Sequence, residues 1–142
     1  MSLASLLRVA GASLILLSLF HAVLWRTLAW DKEVDRLSPL NARVFAVHTF
    51  FVAFVLGALG LLSLIKPELL LAPSELARLL LVGIVVFWIA RLIIQPLVFD
   101  RVMKIGGTRS PLLRVGASLV WLMYVVVYAA ALFGQLRPVG QR

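Results

Sequence analysis

Arg91 and Gln95 stand four residues apart in FWIARLIIQPLVFD, residues 87–100, inside an apolar run long enough to cross a bilayer. A guanidinium at mid-bilayer costs roughly 2.5 to 3.5 kcal/mol on insertion scales, so it normally turns toward the protein interior and a partner. Trp88 lies three residues before Arg91, and spacings of three and four put Trp88, Arg91 and Gln95 on one helical face. Three other apolar runs carry comparable stripes: Ser18, His21 and Trp25; Asn41 and His48; Arg114, Ser118, Trp121 and Tyr128. Arginine presents a planar fork to carboxylate, phosphate or sulfonate, and protonated imidazoles add further donors. The chemistry in prospect is recognition of an anionic head within the membrane.

No acid stands at the depth of Arg91. Asp100 follows nine residues later, and Asp31, Glu33 and Asp35 belong to a polar stretch between the first two runs. The candidate ligand-binding set is therefore His21, His48, Trp88, Arg91, Gln95, Arg114 and Ser118, with the ligand as counter-charge. Plainer roles compete for most of these. An intramembrane histidine is commonly satisfied by a neighbouring carbonyl or hydroxyl, tryptophans pack or anchor at the interface, and Arg114 is near enough to a helix end to snorkel. Alternatively, His21 and His48 clamp one b-type haem axially, with Arg91 and Arg114 on its propionates. No attachment motif accompanies that pair. Two histidines without an intramembrane carboxylate fall short of the usual three protein ligands of a hydrolytic metal, so no metal is expected.

The elements that must position these residues follow from composition. The chain has 142 residues, is 63% hydrophobic and only 14% charged, with a mean hydropathy of +1.06. Its apolar runs reach the roughly 20 residues that a helix needs to span about 30 Å of hydrocarbon. The expected architecture is all-α: a polytopic membrane protein forming one antiparallel four-transmembrane-helix bundle over 1–142. Its helices are expected at about 3–28, 41–65, 74–99 and 111–133. Ser38-Pro39 and Ser74 with Glu75 read as helix starts, and Pro96 removes a backbone donor near the end of the third helix. Gly57, Gly60 and Ser63 let another helix approach closely, and Gly106-Gly107 is a turn without a phosphate-loop pattern around it. Val9 to Trp25 exceeds an ordinary signal sequence and lacks a small-x-small cleavage site, so the first run is expected to be retained.

Depth can be counted along these helices. His21 lies nine residues before Trp30, His48 seven after Asn41, Arg91 nine before Asp100 and Ser118 seven after Pro111. At the helical rise all four sit roughly 10 to 14 Å from the same interface. The simplest arrangement turns the four stripes inward to form a pocket open to the headgroups.

The net charge of +8 comes from basic residues placed mostly beside helix ends. That placement favours anionic lipid over nucleic acid, which is not expected as a partner. Arg26, Lys32, Arg36, Arg43, Arg101, Lys104, Arg109 and Arg114 lie on the side of the first and third loops, and Arg8, Lys66, Arg78, Arg137 and Arg142 on the other. The eight against five predict a plasma (inner) membrane protein with both termini outside and those loops cytoplasmic. With no cysteine, disulfides, thiolate metal sites and cysteine nucleophiles are excluded.

In length and four-helix plan the chain resembles the membrane-associated proteins of eicosanoid and glutathione metabolism. The resemblance rests on Arg43, on Arg91-Leu92 and on Arg114-x-Gly116. It implies basic residues that hold glutathione carboxylates and help activate the thiol between subunits of a trimer. The family's Arg-Ala and the Asn and Glu that follow it are absent, because the chain after Arg43 reads VFAVHTFFVAF. The residues themselves favour a binding or accessory subunit for an anionic amphiphile, in contact with membrane lipids, in a homo- or hetero-oligomer or docked into a larger membrane complex. An enzyme acting on lipophilic substrates is the alternative.

Overall fold

A computed structural model describes residues 2–27, 30–99 and 111–136. Every regular element among them is helical: α1 (Leu3–Thr27), α2 (Trp30–Val34), α3 (Pro39–Ile65), α4 (Pro67–Leu71), α5 (Glu75–Ile94) with a π-helical turn over Gln95–Phe99, and α6 (Pro111–Leu136). Four stretches, Leu3–Trp25, Pro39–Ile65, Glu75–Val98 and Arg114–Leu136, are long and apolar enough to cross a membrane. The chain is thus all-α and compatible with a four-helix membrane bundle, as composition and run length require. The loop holding Asp100, Arg101, Lys104, Gly106, Gly107 and Arg109, and the tail with Arg137 and Arg142, lie outside the described residues.

The helix ends follow local chemistry. Ser38 Oγ accepts from the Asn41 backbone N–H, with Pro39 at the first helical position, where a missing N–H costs nothing. This starts α3 two residues before the expected Asn41. Ser74 caps α5 by accepting from the Ala77 N–H at 3.1 Å. Pro96 cannot donate to the carbonyl four residues back, and the chain there widens into the π turn that begins at Gln95. At the far end α6 continues past the expected Phe133 through Gly134 to Leu136.

The chain divides into two compact units. The first in sequence, Leu7–Pro67, is a hairpin of α1 and α3. Its antiparallel register is fixed at several levels. A Cβ built on Gly11 would lie 2.7 Å from the Gly60 carbonyl oxygen, Ser18 Oγ donates to the Ala53 carbonyl at 2.7 Å, and Trp25 packs on Phe45 with ring centroids 6.0 Å apart. Small residues thus bring the two backbones into direct contact, the packing mode open to helices that gain no hydrophobic energy in lipid. Trp30 of α2 closes the aromatic end, edge-on to Trp25 and Phe45.

The second unit comprises residues 2–6 and the chain from Glu68 onward. Here α5 and α6 pack antiparallel, through buried Ala77, Leu81, Ile84 and Trp88 on one side and Trp121, Tyr124, Val127, Tyr128 and Ala131 on the other. The α5 set repeats at four, three and four residues, the core face of a helix. Buried Gln135 near the end of α6 donates its side-chain amide to the Leu70 carbonyl of α4.

Candidate functional site

The polar stripe of α5 meets the aromatic stripe of α6 within the second unit. Gln95 is fully buried, and its Oε1 accepts from Arg91 Nη1 at 2.9 Å and from Trp121 Nε1 at 3.3 Å. The Arg91 guanidinium carbon lies 4.7 Å from the centre of the Trp121 ring. Such an arrangement uses both faces of the indole's chemistry: its edge N–H joins the amide, and its π face receives the cation. Trp121 in turn stacks on Trp88, centroids 5.4 Å apart and planes 14° from parallel. Tyr124 lies against Trp88 at 4.4 Å and near Trp121 at 6.2 Å.

One atom of this cluster stands apart. Trp88 is 1% exposed, and its Nε1 is buried with no hydrogen-bond partner among the described residues. A buried donor without an acceptor costs about 1 to 3 kcal/mol, and native structures rarely leave one unexplained. Arg91 is half-buried, so its fork is held in place by Gln95 and Trp121 without being sealed off. The π turn starts at Gln95, placing the irregular backbone beside the polar cluster, as π turns often do at functional sites.

The other expected residues take varied positions. Arg114 and Ser118 are half-buried on α6, about 10 and 4.5 Å before Trp121 along the helix. His21 and His48 belong to the first unit. His21 is half-buried, with Nδ1 at 2.8 Å from the Leu17 carbonyl of its own helix, leaving Nε2 as the nitrogen open to another partner. His48 is exposed on α3 and lines a shallow depression with Arg43, Val44, Val47 and Phe51. Among the described residues there is no group of three or more His, Asp or Glu side chains able to hold a metal ion.

Two buried side chains lie outside the expected set: Tyr124 in the cluster, and Gln135, which joins α6 to α4 away from it. Tyr124, fully buried, lies three residues after Trp121 and shares its face, a spacing that would have found it. Gln135, 6% exposed, lies beyond the expected end of the last helix, so only the continuation of α6 through Gly134 reveals it as intrahelical.

Compared with family models, curated proteins and solved structures, the chain finds no match, so the glutathione-family resemblance rests on Arg43, Arg91-Leu92 and Arg114-x-Gly116 alone.

Proposed function

We propose that this chain is a binding or accessory subunit of a membrane system, and that the Arg91 cluster receives the head of an anionic amphiphile. The observation that carries the reading is a half-buried guanidinium inside a membrane span, already oriented by Gln95 and Trp121. A phosphate, carboxylate or sulfonate oxygen is the acceptor whose chemistry matches the planar Arg91 fork, with charge assistance. Trp88, Trp121 and Tyr124 form the stacked aromatic support behind Arg91. Nothing in this cluster supplies a nucleophile with an adjacent base, so a binding role accounts for it better than catalysis. Arg114 and Ser118 lie on the same helix toward its N-terminal end, where they would contact the more polar part of the head.

The balance of basic residues supports an orientation with loops 1 and 3 cytoplasmic and both termini outside, in a plasma or inner membrane. The test of the binding role is native mass spectrometry of the full chain released from nanodiscs. A retained anionic amphiphile that disappears in Arg91→Leu, with the helical content unchanged, is the expected result. Equal retention by wild type and Arg91→Leu would make the cluster structural. A retained haem would instead transfer the function to His21 and His48.

A further inference from the structure

Arg43, Val44, Val47, His48 and Phe51 surround a shallow, open depression on an exposed face of α3. Their spacing of one, three, one and three residues is one helical face. All but the two polar members are apolar, and all five are exposed in a helix that is apolar enough to span a membrane. Neither the Arg43 guanidinium nor the His48 imidazole makes a hydrogen bond or ion pair among the described residues.

Their level in the membrane can be read from the first unit itself. Trp25, Trp30 and Phe45 form a joined aromatic group, with centroids 5.1 to 6.1 Å apart, the kind of belt that settles at the headgroup boundary. Arg43 lies two residues before Phe45 and His48 three after it. Along the helix that is about 3 Å toward the water and about 4.5 Å toward the hydrocarbon. The pair therefore straddles the layer of phosphate and glycerol-ester oxygens, while Val47, Phe51 and, one turn on, Phe54 present apolar surface where an acyl chain would lie.

We infer that this face of α3 is a docking site for one anionic phospholipid, whose phosphate meets Arg43, whose ester oxygens meet His48 and whose acyl chain follows Val47 and Phe51. Arg43 supplies the matching charge, and the aromatic belt sets the matching depth. The site is separate from the Arg91 cluster, so each can fail without the other. It explains why an imidazole is turned outward in a membrane-spanning helix, where an unpaired polar group is costly.

The experiment uses the full chain in nanodiscs of mixed phosphatidylglycerol and phosphatidylcholine, with bound lipid counted by native mass spectrometry. Wild type is expected to retain one phosphatidylglycerol in preference to phosphatidylcholine. Arg43→Gln should reduce that retention about fivefold, the weight of one basic residue near an anionic surface, and Arg43→Gln with His48→Phe should reduce it further. Arg36→Gln, at an exposed arginine already paired with Glu33, should leave it unchanged. If the double variant fails to fold, Arg43→Gln decides alone. Equal retention of the two lipids by wild type, equal phosphatidylglycerol retention by Arg43→Gln, or displacement of the lipid by millimolar inorganic phosphate would each overturn the inference.

Discussion

Replacing Gln95 by Leu removes one oxygen on which two donors converge. The Arg91 bond, at 2.9 Å, has a charged donor, and such bonds contribute about 1.5 to 3 kcal/mol. The Trp121 bond is neutral and long at 3.3 Å, and neutral side-chain bonds between membrane helices average about 0.6 kcal/mol. Leucine has a volume close to that of glutamine, so no large cavity adds to the loss. The expected destabilisation of Gln95→Leu is therefore about 2 to 3.5 kcal/mol, dominated by the guanidinium left beside an apolar side chain. Equilibrium unfolding in mixed detergent micelles, followed by tryptophan fluorescence, measures it, since Trp88 and Trp121 stack within the cluster. Trp121→Phe keeps an aromatic face beneath Arg91 and removes the N–H, but also shrinks a buried, stacked ring, so its cost is an upper bound on the worth of the Trp121 bond. A loss below about 0.5 kcal/mol for Gln95→Leu, the ordinary scale of a neutral surface change, would refute the view that Gln95 holds Arg91 in place.

Other perturbations test other parts of the chain. Gly11→Ala would place a Cβ 2.6 Å from the Leu64 backbone nitrogen and 2.7 Å from the Gly60 oxygen, and overpacking of this kind costs about 1 to 3 kcal/mol. Gly83→Ala, where nothing lies within 4 Å, should be neutral or stabilising by up to about 1 kcal/mol. Thermal unfolding of both variants checks the contrast, which equal midpoints would contradict. Trp88→Phe removes the indole N–H that lacks an acceptor but leaves a smaller ring in a fully buried position, so the two effects oppose each other; its loss in thermal unfolding should be well below that of Trp88→Ala. The chain has no cysteine, so single introduced cysteines report topology without background. Impermeant maleimide should label Ser2→Cys and Glu68→Cys from outside and Asp35→Cys only from the cytoplasmic side, and the reverse pattern would invert the orientation.

The number and approximate limits of the long helices were legible because length and apolarity decide them, and Ser38-Pro39 and Ser74 mark two starts by capping chemistry. The short α2 and α4 were not, since five-residue helices carry too little pattern to separate from a loop. Pro96 announced a departure from regular geometry near the end of the third span, but only the backbone shows that it takes the form of a π turn beginning at Gln95. Spacing placed Trp88, Arg91 and Gln95 on one face, and within the second unit that face meets Trp121. Periodicity was a weaker guide to His48. In a helix that is apolar almost all round, a histidine's stripe does not say which side faces protein, and the surface of α3 toward α1 is set instead by Phe45, Ala53, Gly57 and Gly60. Polar stripes do not mark that surface, but its small residues do: Gly57 and Gly60 are expected from sequence to let another helix approach, and α1 meets them.

Most polar side chains in these spans take the cheapest course open to them. Ser13, His21 and Thr49 turn to carbonyls of their own helices at 2.8 to 2.9 Å, and Ser18 reaches one on the facing helix. Each such bond hides a small dipole from lipid. A guanidinium has five donors and a full charge, so a single carbonyl cannot discharge the same task. The answer on α5 and α6 is a side-chain cluster: an amide oxygen shared between cation and indole, with stacked rings around it. An apolar residue at 91 would let the same hairpin pack without any of these parts. Retaining the charge, and building a buried glutamine and two tryptophans around it, is the expense that the proposed binding role would account for.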